Sequence, residues 1–476
     1  MEVLFAASEA VPFIKTGGLA DVIGSLPLEL RKKGVDARLI LPLYRDVPFP
    51  FKEKMSLRKK MPLSMGWRYQ HFSLLELESE GMPVYFIDNE YYFDRHGIYD
   101  FRDDAERFAF FCRAVLESLP YLGFKPQILH THDWHTGLVN LFLKALYGQH
   151  PFFQDIKSVF TVHNLNYQGL FPWEMLEELL DLPEEYYSME GIEFYGQGSY
   201  LKAGLVFADY LTTVSETYVR EIQTPEYGEK LEGLLQKRKH SLSGIINGID
   251  YQFYDPTGDP QVKFPYRASY TEKCKNKPFL QESLGLPQNE EIPLVAFINR
   301  LVEQKGLDLL REALEEIMAL ELQLVFLGTG EQKYEAFLRG ASYDYPHKIA
   351  VQLRFDEQLA RRIYAGADLF LMPSLYEPCG IGQLIALRYG TIPLVRETGG
   401  LKDTVLPFDA KTGEGNGFVF TEYKKEALLS TLKEALKTYQ DREKWALIMK
   451  NATEMDFSWK SSAEQYQKLY SSLLHN

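Results

Sequence analysis

The sequence predicts an α/β protein built from two similar halves, each a largely parallel sheet covered by helices. Short apolar runs alternate with helical patterns along the whole chain, the signature of parallel α/β layers. Several runs are continuously apolar rather than alternating, as in strands covered on both faces. A join falls near Asn247-Gly248-Ile249-Asp250, followed by Asp255–Pro265, a segment with three prolines that reads as a linker.

Taken in order, the strands expected in the first half are Val3–Ser8, Ala37–Leu43, Val84–Asp88, Ile128–Thr131, Ser158–His163 and Leu211–Ser215. Those of the second half are Leu294–Asn299, Leu322–Gly328, Ile349–Leu353, Asp368–Pro373 and Ile392–Val395. The lysine-rich stretch Lys52–Lys60 reads as a solvated hairpin or loop, and the acidic stretch Glu174–Glu185 as a solvated helix and loop. Ligands of open α/β sheets collect at the C-terminal strand ends. Two such sheets facing each other would gather their strand-end loops around one cleft.

Composition narrows the function. The chain has 476 residues, 45% hydrophobic and 25% charged, the balance of a folded globular protein. A net charge of −14 argues against a broad nucleic-acid or membrane surface, so anions bind only where a few cations are placed. Three widely spaced cysteines, Cys112, Cys274 and Cys379, point to a reducing compartment rather than a disulfide framework. The start, Met1-Glu2-Val3-Leu4-Phe5-Ala6, carries an acid where a signal peptide carries positive charge, and reads as a first strand. No uncharged apolar stretch approaches the ~20 residues of a membrane span. The expectation is a soluble, cytoplasmic protein.

Four segments carry chemistry. Tyr376-Glu377-Pro378-Cys379-Gly380-Ile381-Gly382-Gln383 follows an apolar strand and leads into a helix starting near Gly380. It holds a carboxylate beside a helix N-terminus, where unpaired amides suit phosphate. A hydroxyl-binding group next to a phosphate cradle points to a sugar-nucleotide site. Lys15-Thr16-Gly17-Gly18, after the first strand, pairs a point charge with a glycine pair that lets amides approach an anion. Read alone, the better reading is a tight strand-to-helix turn with an exposed lysine. Arg300 and Lys305, in Asn299-Arg300-Leu301-Val302-Glu303-Gln304-Lys305-Gly306, place a forked and a point cation at a strand end; alone they read as surface charge, and paired with the cradle at Gly380 as a grip on a diphosphate. In His130-Thr131-His132-Asp133-Trp134-His135, strand alternation puts His130 and His132 on one face and Asp133 elsewhere. A metal site is the least of three readings and core or loop histidines the second; a sugar-contacting strand end, with Trp134 as a platform, is the best. His163-Asn164 repeats the theme.

Other classes lack their signatures. No Gly-x-Gly-x-x-Gly follows the first strand, no Gly-x-x-x-x-Gly-Lys-Ser/Thr occurs, and no Gly-x-Ser-x-Gly elbow is present. Nor does Asp-x-Asp, a common metal-diphosphate clamp, occur anywhere, so cations and amides of the protein would stabilise the leaving charge.

With these motifs in hand, the chain resembles the bacterial glycogen synthase family, shared with plastid starch synthases. The matching segments run in the family's order over nearly the whole chain: Lys15–Val22, Phe93-Asp94-Arg95, Glu106-Arg107-Phe108, His130–His135, Thr161–Asn164, Asn247–Asp250, Arg300–Gly306, Glu377–Gln383, Thr398–Leu401 and Phe457-Ser458-Trp459. The resemblance implies an α/β glycosyltransferase-B fold: Rossmann-like domains at 1–248 and 249–455 facing across a deep cleft, with 456–476 crossing back to the first. It implies metal- and cofactor-independent, retaining transfer of glucose from ADP-glucose to the 4-hydroxyl of an α-1,4-glucan such as glycogen. UDP-glucose, another acceptor, or an inactive glucan-binding relative are the alternatives. By the same resemblance, Lys15 and Gly18 contact the diphosphate, and Arg300 and Lys305 neutralise its phosphates. His163, Asn164 and Asn247 orient the donor glucose. Glu377 bonds its hydroxyls beside Cys379, Gly380, Ile381 and Gly382. Asp21, Asp133 and Trp134 lie on the acceptor side. The chain departs from the family pattern at Gly382, usually threonine, at Val302, and at Arg354-Phe355, usually Gly-Tyr. Phe355 can still stack on adenine without a phenol hydroxyl.

Overall fold

The computed structural model describes residues 1–475 and divides into two compact units. One comprises Met1–Ile245 with the final helix Trp459–His475, the other Ile246–Ser458.

In chain order, the strands of the first unit are β1 (Glu2–Ala6), β2 (Asp36–Pro42), β3 (Ser56–Met65), β4 (Arg68–Ser79), β5 (Met82–Asp88), β6 (Ile128–His132) and β7 (Lys157–Val162). Then come β8 (Leu170–Pro172), β9 (Glu193–Phe194), β10 (Gln197–Ser199), β11 (Tyr210–Thr213) and β12 (Leu242–Gly244). β8 to β10 form a small antiparallel sheet of their own. The main sheet runs β12-β11-β7-β6-β1-β2-β5-β4-β3, parallel except where β4 and β3 add an antiparallel hairpin at one edge. Lys59 and Lys60 therefore sit on an edge strand, where exposed charge discourages edge-to-edge pairing. The central strands are buried throughout, which explains their unbroken apolar runs.

The second unit holds β13 (Leu294–Ile298), β14 (Gln323–Leu327), β15 (Ile349–Gln352), β16 (Leu369–Met372), β17 (Ile392–Arg396) and β18 (Phe418–Phe420). All are parallel, in the order β15-β14-β13-β16-β17-β18. Counted within the unit this is 3-2-1-4-5-6, the doubly wound dinucleotide-binding order. The order reverses beside β13, between β13 and β16. The same reversal stands beside β1 in the first unit, between β1 and β6.

Two expectations need correction. Asp255–Pro265 is not a linker. Asp259 is buried and accepts from Arg361 (3.0 Å) and the Tyr389 hydroxyl (2.5 Å), and Val262 packs in the second core. The chain instead changes unit at Ile245/Ile246 and Ser458/Trp459, a few residues from 248/249 and 455/456. The reason is local stitching: the Ile249 N–H donates to the Phe457 carbonyl (2.9 Å), and the Tyr251 hydroxyl bonds the Met455 carbonyl (3.1 Å). Among the described residues, no helix is long and apolar enough to cross a membrane.

Candidate functional site

Lys15 and Asp133 follow the strands that flank the first unit's reversal, and Arg300, Lys305 and Glu377 those that flank the second's, where ligands of doubly wound sheets bind; Asn247 and Phe355 follow the edge strands β12 and β15. In the first unit, the loop after β1 is organised by a residue the sequence reading missed. Glu9 is buried, and one carboxylate oxygen accepts from the Thr16 amide (2.5 Å), the Thr16 hydroxyl (2.9 Å) and the Gly17 amide (3.3 Å). Burial raises the Glu9 carboxyl, and these donors pull it back. A lone acid inside the apolar run Leu4–Phe13 was the available signal. The helix Gly18–Lys32 starts directly after this loop, and its N-cap, Gly17, offers no side-chain cap. Lys15 lies a third exposed and pairs with Asp21 across 2.7 Å.

After β6, Asp133 turns the chain with φ of 56° and opens the helix Trp134–Ala145. Its carboxylate accepts from the His163 amide at 2.8 Å, which ties the end of β6 to the end of β7. Loss of hydration pushes this carboxyl up to about 7, against the lowering pull of the His163 and Asn164 amides. Histidines cluster beneath it. His130 Nδ1 meets the Tyr470 hydroxyl and its Nε2 the Thr161 hydroxyl, both at 2.6 Å. His132 Nδ1 lies 3.1 Å from His163 Nε2. Burial holds His130 and His132 well below the usual imidazole range and His163 down to about 3, so all three are neutral. Among the described residues no group of three His, Cys, Asp or Glu side chains is arranged to hold a metal ion. Trp134 is half-buried against Phe108 and Phe171, and with Tyr167 and Phe171 it lines a groove of ≈ 730 Å³. In the run Tyr91-Tyr92-Phe93, Tyr92 and Phe93 are core residues, whereas Tyr91 is exposed.

In the second unit, the loops after β13 and β16 meet. Lys305 Nζ lies 2.9 and 2.6 Å from the two Glu377 oxygens, one of which also accepts from Ser374 at 3.0 Å. Both partners are buried. Lys305 and Glu377, read from sequence as a phosphate ligand and a sugar ligand, are thus one ion pair. Ser374, the strand-end residue completing it, was not singled out. Arg300 is exposed, with no ion-pair partner among the described residues. Gly306 takes φ of 79°, and a Cβ there would lie 2.1 Å from the Pro373 carbonyl oxygen, so only glycine lets these loops approach.

The helix expected near Gly380 starts at Gly382 instead. Gly380 takes φ of 75°, outside the helical region, while the Gln383 amide donates to the Cys379 and Gly380 carbonyls (3.0 Å each). Cys379 is buried, its thiol pushed up to about 12 by burial, with the Asn247 amide donating to it. Asn247 is buried too, and its Oδ1 has no hydrogen-bond partner among the described residues. Ile381 is the N-cap, and a Cβ at Gly382 would lie 2.9 Å from the Phe370 ring, which fills the space a threonine would need. Phe355 follows β15 and is 81% exposed.

Comparison with known proteins identifies the family. Residues 2–237 match the starch synthase catalytic domain model, and residues 278–452 the glycosyl transferases group 1 model. The chain is 53% identical to a glycogen synthase of Desulforamulus reducens, covering 100% of this chain and 99% of that protein. It is 49% identical to one of Bacillus cereus, covering both completely. The structure is similar to the catalytic domain of starch synthase IV from Arabidopsis thaliana, solved bound to ADP and acarbose. That match has a TM-score of 0.90 at 33% identity, over 100% of this chain and 99% of the other. A sucrose-phosphate synthase from Thermosynechococcus elongatus shares the fold at a TM-score of 0.64 and 16% identity. A doubly wound sheet in each unit, two matching family models and full-length identity near one half lead to one assignment: the chain belongs to the bacterial glycogen synthase family and is a glycosyltransferase of the glycosyltransferase-B fold.

Proposed function

We propose that the chain transfers glucose from ADP-glucose to the non-reducing 4-hydroxyl of an α-1,4-glucan, with retention of configuration and release of ADP. The observation that carries this is the cluster at the second reversal: an exposed guanidinium, Arg300, beside the buried Lys305–Glu377–Ser374 network. The two cations suit the charge that grows on a leaving phosphate, and Glu377, held in place by Lys305 and Ser374, is set to meet a hexose. The ADP and acarbose in the similar starch synthase support a nucleotide-sugar donor and a glucan acceptor.

In this reading Arg300 and Lys305, with Lys15 and Gly18 of the other unit, meet the diphosphate. His163, Asn164, Asn247 and Glu377 orient the glucose, beside Cys379 and the Gly380–Gly382 backbone. Phe355 stacks on the base, and Asp21, Asp133 and Trp134 serve the acceptor. The C1–phosphate bond breaks with its electron pair passing to the phosphate oxygen. The acceptor oxygen then bonds C1 from the same face, and its proton passes to that phosphate oxygen. A covalent double displacement needs an unencumbered carboxylate opposite the leaving group. Glu377 has both oxygens engaged by Lys305, and the Asp133 carboxylate is engaged by the His163 amide. Three free cysteines suit a reducing, cytoplasmic setting.

The test is incorporation of radiolabelled glucose into glycogen from equal concentrations of ADP- and UDP-glucose, with and without EDTA. The expected outcome is faster ADP-glucose incorporation, unaffected by EDTA. Faster UDP-glucose transfer would reassign the donor, and glycogen binding with neither donor used would mark an inactive relative. A trapped glucosyl–protein adduct would overturn the same-face step.

A further inference from the structure

His132 has no assigned part in the reaction, yet its ring contacts His163. Both imidazoles are neutral, so each carries one N–H, and one must donate across the 3.1 Å between His132 Nδ1 and His163 Nε2. The far side of His132 decides which. Its Nε2 is buried without a hydrogen-bond partner among the described residues. A buried N–H with no acceptor is rarer than an acceptor left short of a donor. The Phe5 ring stacks on His132 at 15° with centroids 5.9 Å apart, so its π-face offers no in-plane acceptor to Nε2. His130 cannot serve either, since both its nitrogens are occupied by Tyr470 and Thr161.

We propose that His132 is a positioning residue: it carries its proton on Nδ1, donates to His163 Nε2, and thereby fixes His163 as the Nδ1–H tautomer. His163 then presents a donor, not an acceptor, so the ligand atom it recognises is an oxygen lone pair, such as that of a hexose hydroxyl. The identity of that hexose rests on the function proposed above; the tautomer does not. The opposite arrangement would strand an N–H against Phe5 and turn a lone pair toward the ligand.

The experiment is nitrogen NMR of the full-length protein labelled with ¹⁵N-histidine, His132 and His163 being assigned by single His→Asn variants. The expected result is the Nδ1–H tautomer for both rings without ligand; an Nε2–H signal from either overturns the proposal. Kinetics give a second reading. Asparagine places its amide nitrogen where Nδ1 stands, whereas glutamine and leucine do not. His132→Asn should hold kcat within about threefold of wild type, while His132→Gln and His132→Leu lose about three- to tenfold more, the scale of one neutral hydrogen bond. Equal losses in all three folded variants would overturn the positioning role. If the wild-type protein transfers no glucose, the functional reading fails while the NMR result still decides the tautomer.

Discussion

Arg300 and Lys305 are both cations at the end of β13, but their surroundings divide the work between them. Arg300 is exposed and unpaired among the described residues, so its charge is available to a ligand at little structural cost. Arg300→Ala should lower kcat by about 10²- to 10³-fold, the scale for losing one preorganised charge-stabilising donor. Its unfolding free energy should stay within about 0.5 kcal/mol of wild type, as for surface changes generally. An unchanged rate in initial-velocity assays would remove Arg300 from the reaction. Lys305 is a different case, because its partner Glu377 is only 7% exposed. Glu377→Ala strands a buried ammonium and should cost about 3–5 kcal/mol in urea unfolding as well as activity. Lys305→Met with Glu377→Leu should regain most of that stability while remaining inactive, since a buried pair adds little over well-packed apolar groups. Recovery of activity in the double variant would show that the pair is structural only.

At the scale of elements, the second unit joins its loops by the Lys305–Glu377 ion pair, whereas the strand ends of the first unit are packed with neutral imidazoles, with consequences in acid. His135 is buried between Tyr99, stacked at 4.5 Å, and Phe108, at 4.9 Å. Burial, reinforced by the nearby Arg107 charge, lowers its folded-state pKa well below the usual 6.5. The stability such a group contributes is complete above about 6.5 and is lost as pH falls toward the folded value. Asp133 has the opposite sign: with its carboxyl raised to about 7, its contribution is complete below 3.8 and is lost as pH rises through 7. His130, His132, His135 and His163 all share the first sign, so the first unit should weaken on acidification from pH 7 to 5. In His135→Phe the fall should be shallower by up to about 1.4 kcal/mol per pH unit below 6, read from urea midpoints at each pH. A slope unchanged from wild type would mean that His135 is charged in the folded state. The strands carrying these groups were legible because buried parallel strands are apolar throughout, and the glycine-, cation- and histidine-bearing loops stood out against them. What stayed hidden depends on distant partners. Glu9 is one acid until the Thr16 and Gly17 amides fold onto it, and nothing local says that Lys305 and Glu377, 72 positions apart, share one site. The start of the helix at Gly382 was misplaced because the Gln383 side chain competes for the Cys379 and Gly380 carbonyls.

At the scale of the whole chain, the first unit is discontinuous in sequence: the chain leaves it at Ile245 and returns to it at Trp459. The returning helix, Trp459–His475, lies within the first core: Trp459, Ala463, Tyr466 and Tyr470 are buried there. Tyr470 also bonds His130 on the central strand β6, which continues through Thr161 to Thr212 on β11. A sheet that runs from the hairpin β3–β4 to β12 is thus fastened by a helix that follows the second unit in the chain. That explains why the segment is an amphipathic helix with aromatic anchors rather than a polar tail. Tyr470→Phe leaves His130 Nδ1 without its partner in a dry site, at a cost of about 1–3 kcal/mol. Deleting 459–476 removes the anchors altogether, and burial of one large aromatic alone is worth about 3–5 kcal/mol. A chain ending at Ser458 should therefore lose the cooperative unfolding of its first unit while the second, which keeps its own six-stranded sheet, still unfolds as a unit. Limited proteolysis with mass spectrometry reads this directly. The expected pattern is rapid cleavage across 1–245 and a protected fragment from about 246 onward, whereas equal protection of both regions would show that the first sheet stands without its final helix.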